Sequence, residues 1–174
     1  TRDSNPVRSE ANAVTGEMPV MERFFDLEAE AAVIKSCLRD PEAPGDAVGM
    51  GLRPEHFSES NGLVFAAILA IAETDTPVTP QTVARHLANL DQLDRAGGQT
   101  AILDTWRTAD TGLLSYGQAV LERAAVREEY QLVHRHLMAL TAPGVDVSRE
   151  MARFRDELVA YDQQQVRRDG PMSI

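Results

Sequence analysis

Cysteine, lysine and tryptophan each occur once in the 174 residues. The lone Cys37 excludes an intrachain disulfide, and its apolar helical setting suits a buried small hydrophobe in a reducing cytoplasm. Aromatic residues are only 5% of the chain. Aliphatic and alanine side chains must therefore build the core, which favours helices over a β-sandwich. Positive charge is scarce as well: the net charge is -10 and Lys35 is the only lysine. Duplex binding rests on Lys and Arg neutralising phosphates, so no direct DNA binding is expected of this chain. The longest apolar run, residues 63–72, falls far short of the roughly 20 residues that span a bilayer, so no membrane association is expected.

Catalytic chemistry is equally thin. A phosphate-binding loop needs glycines followed by Lys and Ser or Thr. The one Lys-Ser pair, Lys35-Ser36, follows a stretch without glycine, which excludes a P-loop nucleotidase within the chain. His134 and His136 stand two apart, so on a helix they point in different directions and do not readily share a metal. Glu28 and Glu30 are also two apart, and the positive end of a helix dipole accounts for both. Gly97-Gly98 reads as a helix C-cap and tight turn. No catalytic, cofactor or metal site is expected. The arginines near the C-terminus are interleaved with acids, which reads as a solvated, salt-bridged face.

What is present is helical periodicity. Residues 1–22 have no period and read as an unstructured arm. From Leu27, apolar residues recur at 27, 31, 34 and 38, with Asp26 as a cap and acids in the first turn. Asp40-Pro41 and Pro44-Gly45 read as stops, with a short helix at about 46–51. A turn at 53–57 carries Phe57 into the core. Ser58 or Ser60 then caps a helix at 61–73, apolar almost all round and so the expected centre of a bundle. Thr79-Pro80 is a cap followed by proline at the first helical position. Ile102, Leu103 and Trp106 begin another helix. The longest helix spans 113–140 and is interrupted by Gly117. Ala142-Pro143-Gly144 turns the chain, and Ser148 caps a last helix carrying Met151, Phe154, Leu158 and Tyr161. The predicted fold is all-α: a compact multi-helix head at 23–112, a long antiparallel helical hairpin at 113–165, and a flexible tail at 166–174.

The order of several short stretches resembles the N-terminal domain of DnaB-type replicative helicases. Residues 27–34, Leu-Glu-Ala-Glu-Ala-Ala-Val-Ile, resemble the family's opening helix. Leu52-Arg53-Pro54-Glu55-His56-Phe57 resembles its turn ending in a core Phe, and residues 64–68 its central helix. Leu93-Asp94 with Gly97-Gly98 resembles a Leu-Asp-x-x-Gly-Gly turn. Tyr116 with Val120-Leu121-Glu122-Arg123-Ala124-Ala125-Val126-Arg127 resembles the family's Glu-Arg-Ala helix. The chain departs from the pattern at Phe24, where the family has proline, at Gly117, where it has alanine, and in a shorter 108–112 segment.

The resemblance implies a non-catalytic collar. In that family hairpins pair neighbouring subunits, three dimers form the collar, and the C-terminal domain of primase, or a helicase loader, docks on it. ATP and magnesium belong to a motor domain, if one follows. The implied docking residues are Glu28, Glu122, Arg123, Arg127, Tyr130 and His134. For the pairing of hairpins, the apolar Val120, Val133, Leu137, Leu140, Phe154 and Leu158 are the candidates, partly in the hairpin interior and partly available to a second copy. A stand-alone adaptor of the same fold without a motor domain is the alternative.

Overall fold

The computed structural model describes residues 24–168. The arm at 1–22 and the end of the tail, 169–174, lie outside those residues. Among the described residues seven α-helices follow in order: α1 Leu27–Arg39, α2 Ala43–Gly49, α3 Glu59–Ala72, α4 Pro80–Asn89, α5 Gly98–Thr108, α6 Leu113–Leu140 and α7 Val147–Arg168. A 3-10 turn at Pro54–His56 precedes α3. No strand occurs among the described residues.

Local signals set most helix starts. Asp26 Oδ1 accepts from Ala29 N at 3.0 Å, and Thr79 and Thr82 cap each other reciprocally ahead of α4. Other starts differ from the sequence reading. Pro44 opens α2 rather than stopping α1, because a proline in a first turn loses no helical hydrogen bond. Ser58 precedes α3 without capping it, since its hydroxyl donates elsewhere. Gly97 and Gly98, with φ of 88° and 79°, open α5 instead of closing α4. Asp146, not Ser148, caps α7 by accepting from Arg149 N at 3.1 Å. Helix α7 also continues past residue 165 to Arg168.

The head core gathers Val33, Ile34 and Cys37 of α1, Phe65 and Ile68 of α3, Val83 and Leu87 of α4, Ile102 of α5 and Val120 of α6. Phe57 stacks on Phe65 with ring centroids 4.6 Å apart. Helix α1 is buried along almost its whole length from Ala29 to Leu38, so it shares the central position expected of α3 alone; Leu27, expected to face the core, is exposed.

A carboxylate is enclosed with them. Glu30 is 1% exposed, and its Oε2 accepts from Ser58 N, Ser58 Oγ and Asn61 Nδ2 at 3.0, 2.6 and 2.8 Å. It ties the start of α3 to α1, a role that the dipole reading missed. Lys35 also turns inward, donating to the carbonyls of Arg107 and Ala109 at the end of α5.

Helix α6 belongs to both parts of the molecule. Its first turns enter the head, where Gly117, Val120, Ala124 and Arg127 are buried. It then leaves the head and pairs with α7. Gly117 does not interrupt it. A Cβ there would lie 2.8 Å from Met50 Cε and 3.2 Å from Leu52 Cδ1, so the missing side chain lets α6 approach the segment after α2.

Candidate functional site

The projecting hairpin exposes a run of apolar side chains; Leu27, Val48, Leu90, Trp106 and Leu114 are exposed elsewhere on the molecule. On α6, Val126, Tyr130, Val133, Leu137 and Leu140 recur at steps of four and three and so share one stripe. Val126, Val133 and Leu137 are exposed by 46%, 49% and 56%, values more typical of charged residues than of aliphatic ones. Leu140 is half-buried. Met138 lies beside the stripe and is also exposed, as are Val147 and Val159 on α7.

Where α6 leaves the head, aromatic rings line it. Phe24 packs on Tyr130 at 4.8 Å between centroids, and Tyr130 stacks on His134 at 5.7 Å and 9°. Arg127 locks this junction. Its Nη1 donates to the Phe24 carbonyl at 3.3 Å and its Nη2 to the Glu55 carbonyl at 3.0 Å, while the guanidinium lies 4.2 Å over the Phe25 ring. Burial pulls its pKa below the ordinary arginine value, against the charges of Glu30 and Glu128.

Two of the expected assignments change with this geometry. Arg127 is 6% exposed and holds the head to the hairpin, so it is not a free docking side chain. Val120 is 1% exposed inside the head core, so it cannot meet a second copy. Of the remaining candidates, Tyr130 and His134 are half-buried in the aromatic ladder, and Glu122 and Arg123 are exposed on α6, where Gln118 Nε2 donates to Glu122 Oε1 at 3.3 Å. Glu28 is exposed on α1, within electrostatic reach of Tyr116. The Tyr116 hydroxyl is raised above its ordinary pKa first by the Asp110 charge and by its bond to that carboxylate at 3.2 Å, then by Glu28 and Asp26. Val133 and Leu137 are exposed, whereas Phe154 and Leu158 are half-buried, with Phe154 packed on the His136 ring at 4.8 Å.

His136 was singled out in the sequence only as unsuited to share a metal with His134. It is 2% exposed, with Nδ1 2.6 Å from Glu150 Oε1 and Nε2 3.1 Å from Glu157 Oε2. Arg153 Nε donates to the other Glu157 oxygen at 3.0 Å, and Arg135 lies 3.6 Å from Oε2. Residues 136, 150 and 157 gave one sequence signal: two acids seven apart on one helix face, opposite a histidine on the facing helix.

No group of side chains among the described residues is placed to hold a metal ion, and no helix among them is long and apolar enough to cross a membrane. Residues 22–122 match the family described as the DnaB-like helicase N terminal domain. The N-terminal domain of DnaB helicase from Mycobacterium tuberculosis is a similar solved structure. It is 28% identical, covers 78% of this chain and 97% of its own, and superposes with a TM-score of 0.69.

Proposed function

The chain belongs to the DnaB-like helicase N-terminal domain family, and on that premise we propose that it is a non-catalytic assembly and docking module of a replicative DNA helicase. The observation that carries this reading is the apolar stripe of α6, exposed along the part of the helix that projects from the head. A hairpin with such a stripe lowers its free energy by meeting another copy of itself. The pairing is isologous, with the same residues facing each other across a twofold axis. Val133, Leu137 and Leu140 form its centre, with Phe154 and Leu158 supporting from within the hairpin. Three such dimers form a hexameric collar. The C-terminal domain of primase, or a helicase loader, docks on the mixed-charge side that carries Glu122 and Arg123, with Glu28, Tyr130 and His134 contributing from the junction.

Light scattering after size exclusion, across a concentration series, tests the reading. The chain is expected to form dimers or larger species, and the double variant Val133→Asp, Leu137→Asp to stay monomeric. Loss of two aliphatic contacts of about 1.5–3 kcal/mol each weakens association by tenfold or more. Addition of a primase C-terminal domain is expected to shift the elution of the wild type, and Glu122→Ala, Arg123→Ala to reduce that shift. A wild-type chain that remains monomeric at every concentration and ignores primase rejects the proposal.

A further inference from the structure

Two rows of side chains run along the projecting part of α6. The first is the stripe Val126, Tyr130, Val133, Leu137 and Leu140, whose middle member is Val133. The second starts at the Phe24 ring, which packs on Tyr130, and continues at steps of four through His134 to Met138. Phe24, Tyr130 and His134 are half-buried, but Met138 is 55% exposed, so this row ends on an uncovered thioether. On α6 its middle member is His134, one residue from the middle of the stripe.

The two flanks of the stripe therefore differ. The aromatic row forms one, and the exposed Glu122 and Glu129 stand on the other. A twofold axis along α6 would set two copies parallel and bring each flank against the opposite one. The Tyr130 ring would then lie at the height of the partner's Glu129 carboxylate, whose charge the ring face repels. A twofold axis across α6 sets the copies antiparallel, and like flank meets like flank in reversed order.

We propose that two copies pair antiparallel about a twofold axis beside Val133 and His134, so that the aromatic row of one copy runs into that of the other and each Met138 packs against the partner's Phe24 and Tyr130. This rests on the assembly reading above and adds its direction and register. Reversal about Val133 brings Val126 level with the partner's Leu140. Reversal about His134 brings Met138 level with the partner's Tyr130. Both rows are thus self-complementary in nearly the same register, as an isologous contact requires. A thioether against an aromatic ring is a favourable contact, and the two α6 dipoles oppose rather than add. The two Glu129 residues stand about 12 Å apart along the helices, where salt screens their repulsion. The docking side narrows to Glu28, Glu122 and Arg123, because the partner covers Tyr130 and His134.

Cysteine cross-linking of the whole chain reads direction and register, because the native thiol is silent. Cys37 is 1% exposed, and burial, then the Asp40 charge, push its thiol up to about 12. Variants are oxidised under one set of conditions and dimers read on a non-reducing gel. Val133→Cys is expected to cross-link with itself. Val126→Cys and Leu140→Cys each lie about 21 Å along the helix from their own copies, past the reach of a disulfide. Each is expected to stay uncoupled alone and to form the mixed dimer when the two are combined. Met138→Ala is expected to weaken association about threefold or more, read as the dimer dissociation constant by light scattering. Self-coupling of Val126→Cys as fast as that of Val133→Cys means parallel pairing and overturns the proposal. A mixed pair that stays uncoupled, or an unchanged constant in Met138→Ala, overturns it too. In each of these cases a chain that still associates keeps the assembly reading. A chain that is monomeric at every concentration removes both.

Discussion

The head and the projecting hairpin use the same aliphatic vocabulary in opposite ways. In the head, Val33, Phe65, Ile68, Val83 and Leu87 are completely enclosed. On the hairpin, Val133 and Leu137 stand about half in water, and the enclosed groups are Leu132 and a histidine between two glutamates. The head is thus specified by volume and packing, which tolerate few alternatives. The hairpin relies more on directional polar contacts and on half-buried side chains, and it leaves part of its apolar surface exposed.

The sharpest way to break this contrast is to remove apolar bulk from each part. Phe65→Ala empties the centre of the head and is expected to lower stability by about 3–5 kcal/mol, read by urea denaturation. A loss under about 1 kcal/mol would mean that the head core is far looser than its burial implies. Next comes the junction. Arg127→Ala removes the charged donor shared by the Phe24 and Glu55 carbonyls, at an expected cost of roughly 1.5–3 kcal/mol. Arg127→Lys is expected to recover only part of it, because one ammonium does not reproduce the planar fork.

The third effect is an acid limb in the hairpin alone. The Glu157 carboxyl titrates below the ordinary glutamate value in the folded chain, chiefly because of its hydrogen bond with His136. Its contribution is therefore present above that value and is lost as pH falls through the depressed folded value. Melting of the hairpin, followed by circular dichroism from pH 6 down to pH 3, is expected to turn downward below pH 4.5, and less so in Glu157→Gln. The smallest effect is the most telling. Leu137→Ser, measured on dilute monomer, is expected to change stability by no more than about 0.5 kcal/mol. A larger loss would show that the stripe belongs to the fold after all, and the contrast between the two parts would fail.

Much of the head was legible because its signals are local. Asp26, Thr79 and Pro80 cap within three residues, and the periodicity of α6 gave both of its ends, 113 and 140. What escaped the sequence were polar groups whose partners lie far along the chain. Glu30 looks like an ordinary first-turn acid until Ser58 and Asn61 are folded onto it. Arg127 looks like one more surface charge until Phe24, 103 residues away, brings its carbonyl. Pro44 misled for another reason: the same residue that ends one helix is accepted in the first turn of the next.

The continuity of α6 carries a mechanical consequence. From Arg127, where the head grips it, to its end at Leu140, the helix extends about 20 Å at 1.5 Å per residue. It is a lever with its fulcrum at the guanidinium. A rotation of about 10° at that grip sweeps the far end through roughly 3–4 Å, more than half the pitch of an α-helix. Small rearrangements where the Phe24-Phe25 segment meets α6 are thereby magnified at the tip, so the chain just before α1 is well placed to steer where the distant end of the hairpin lands.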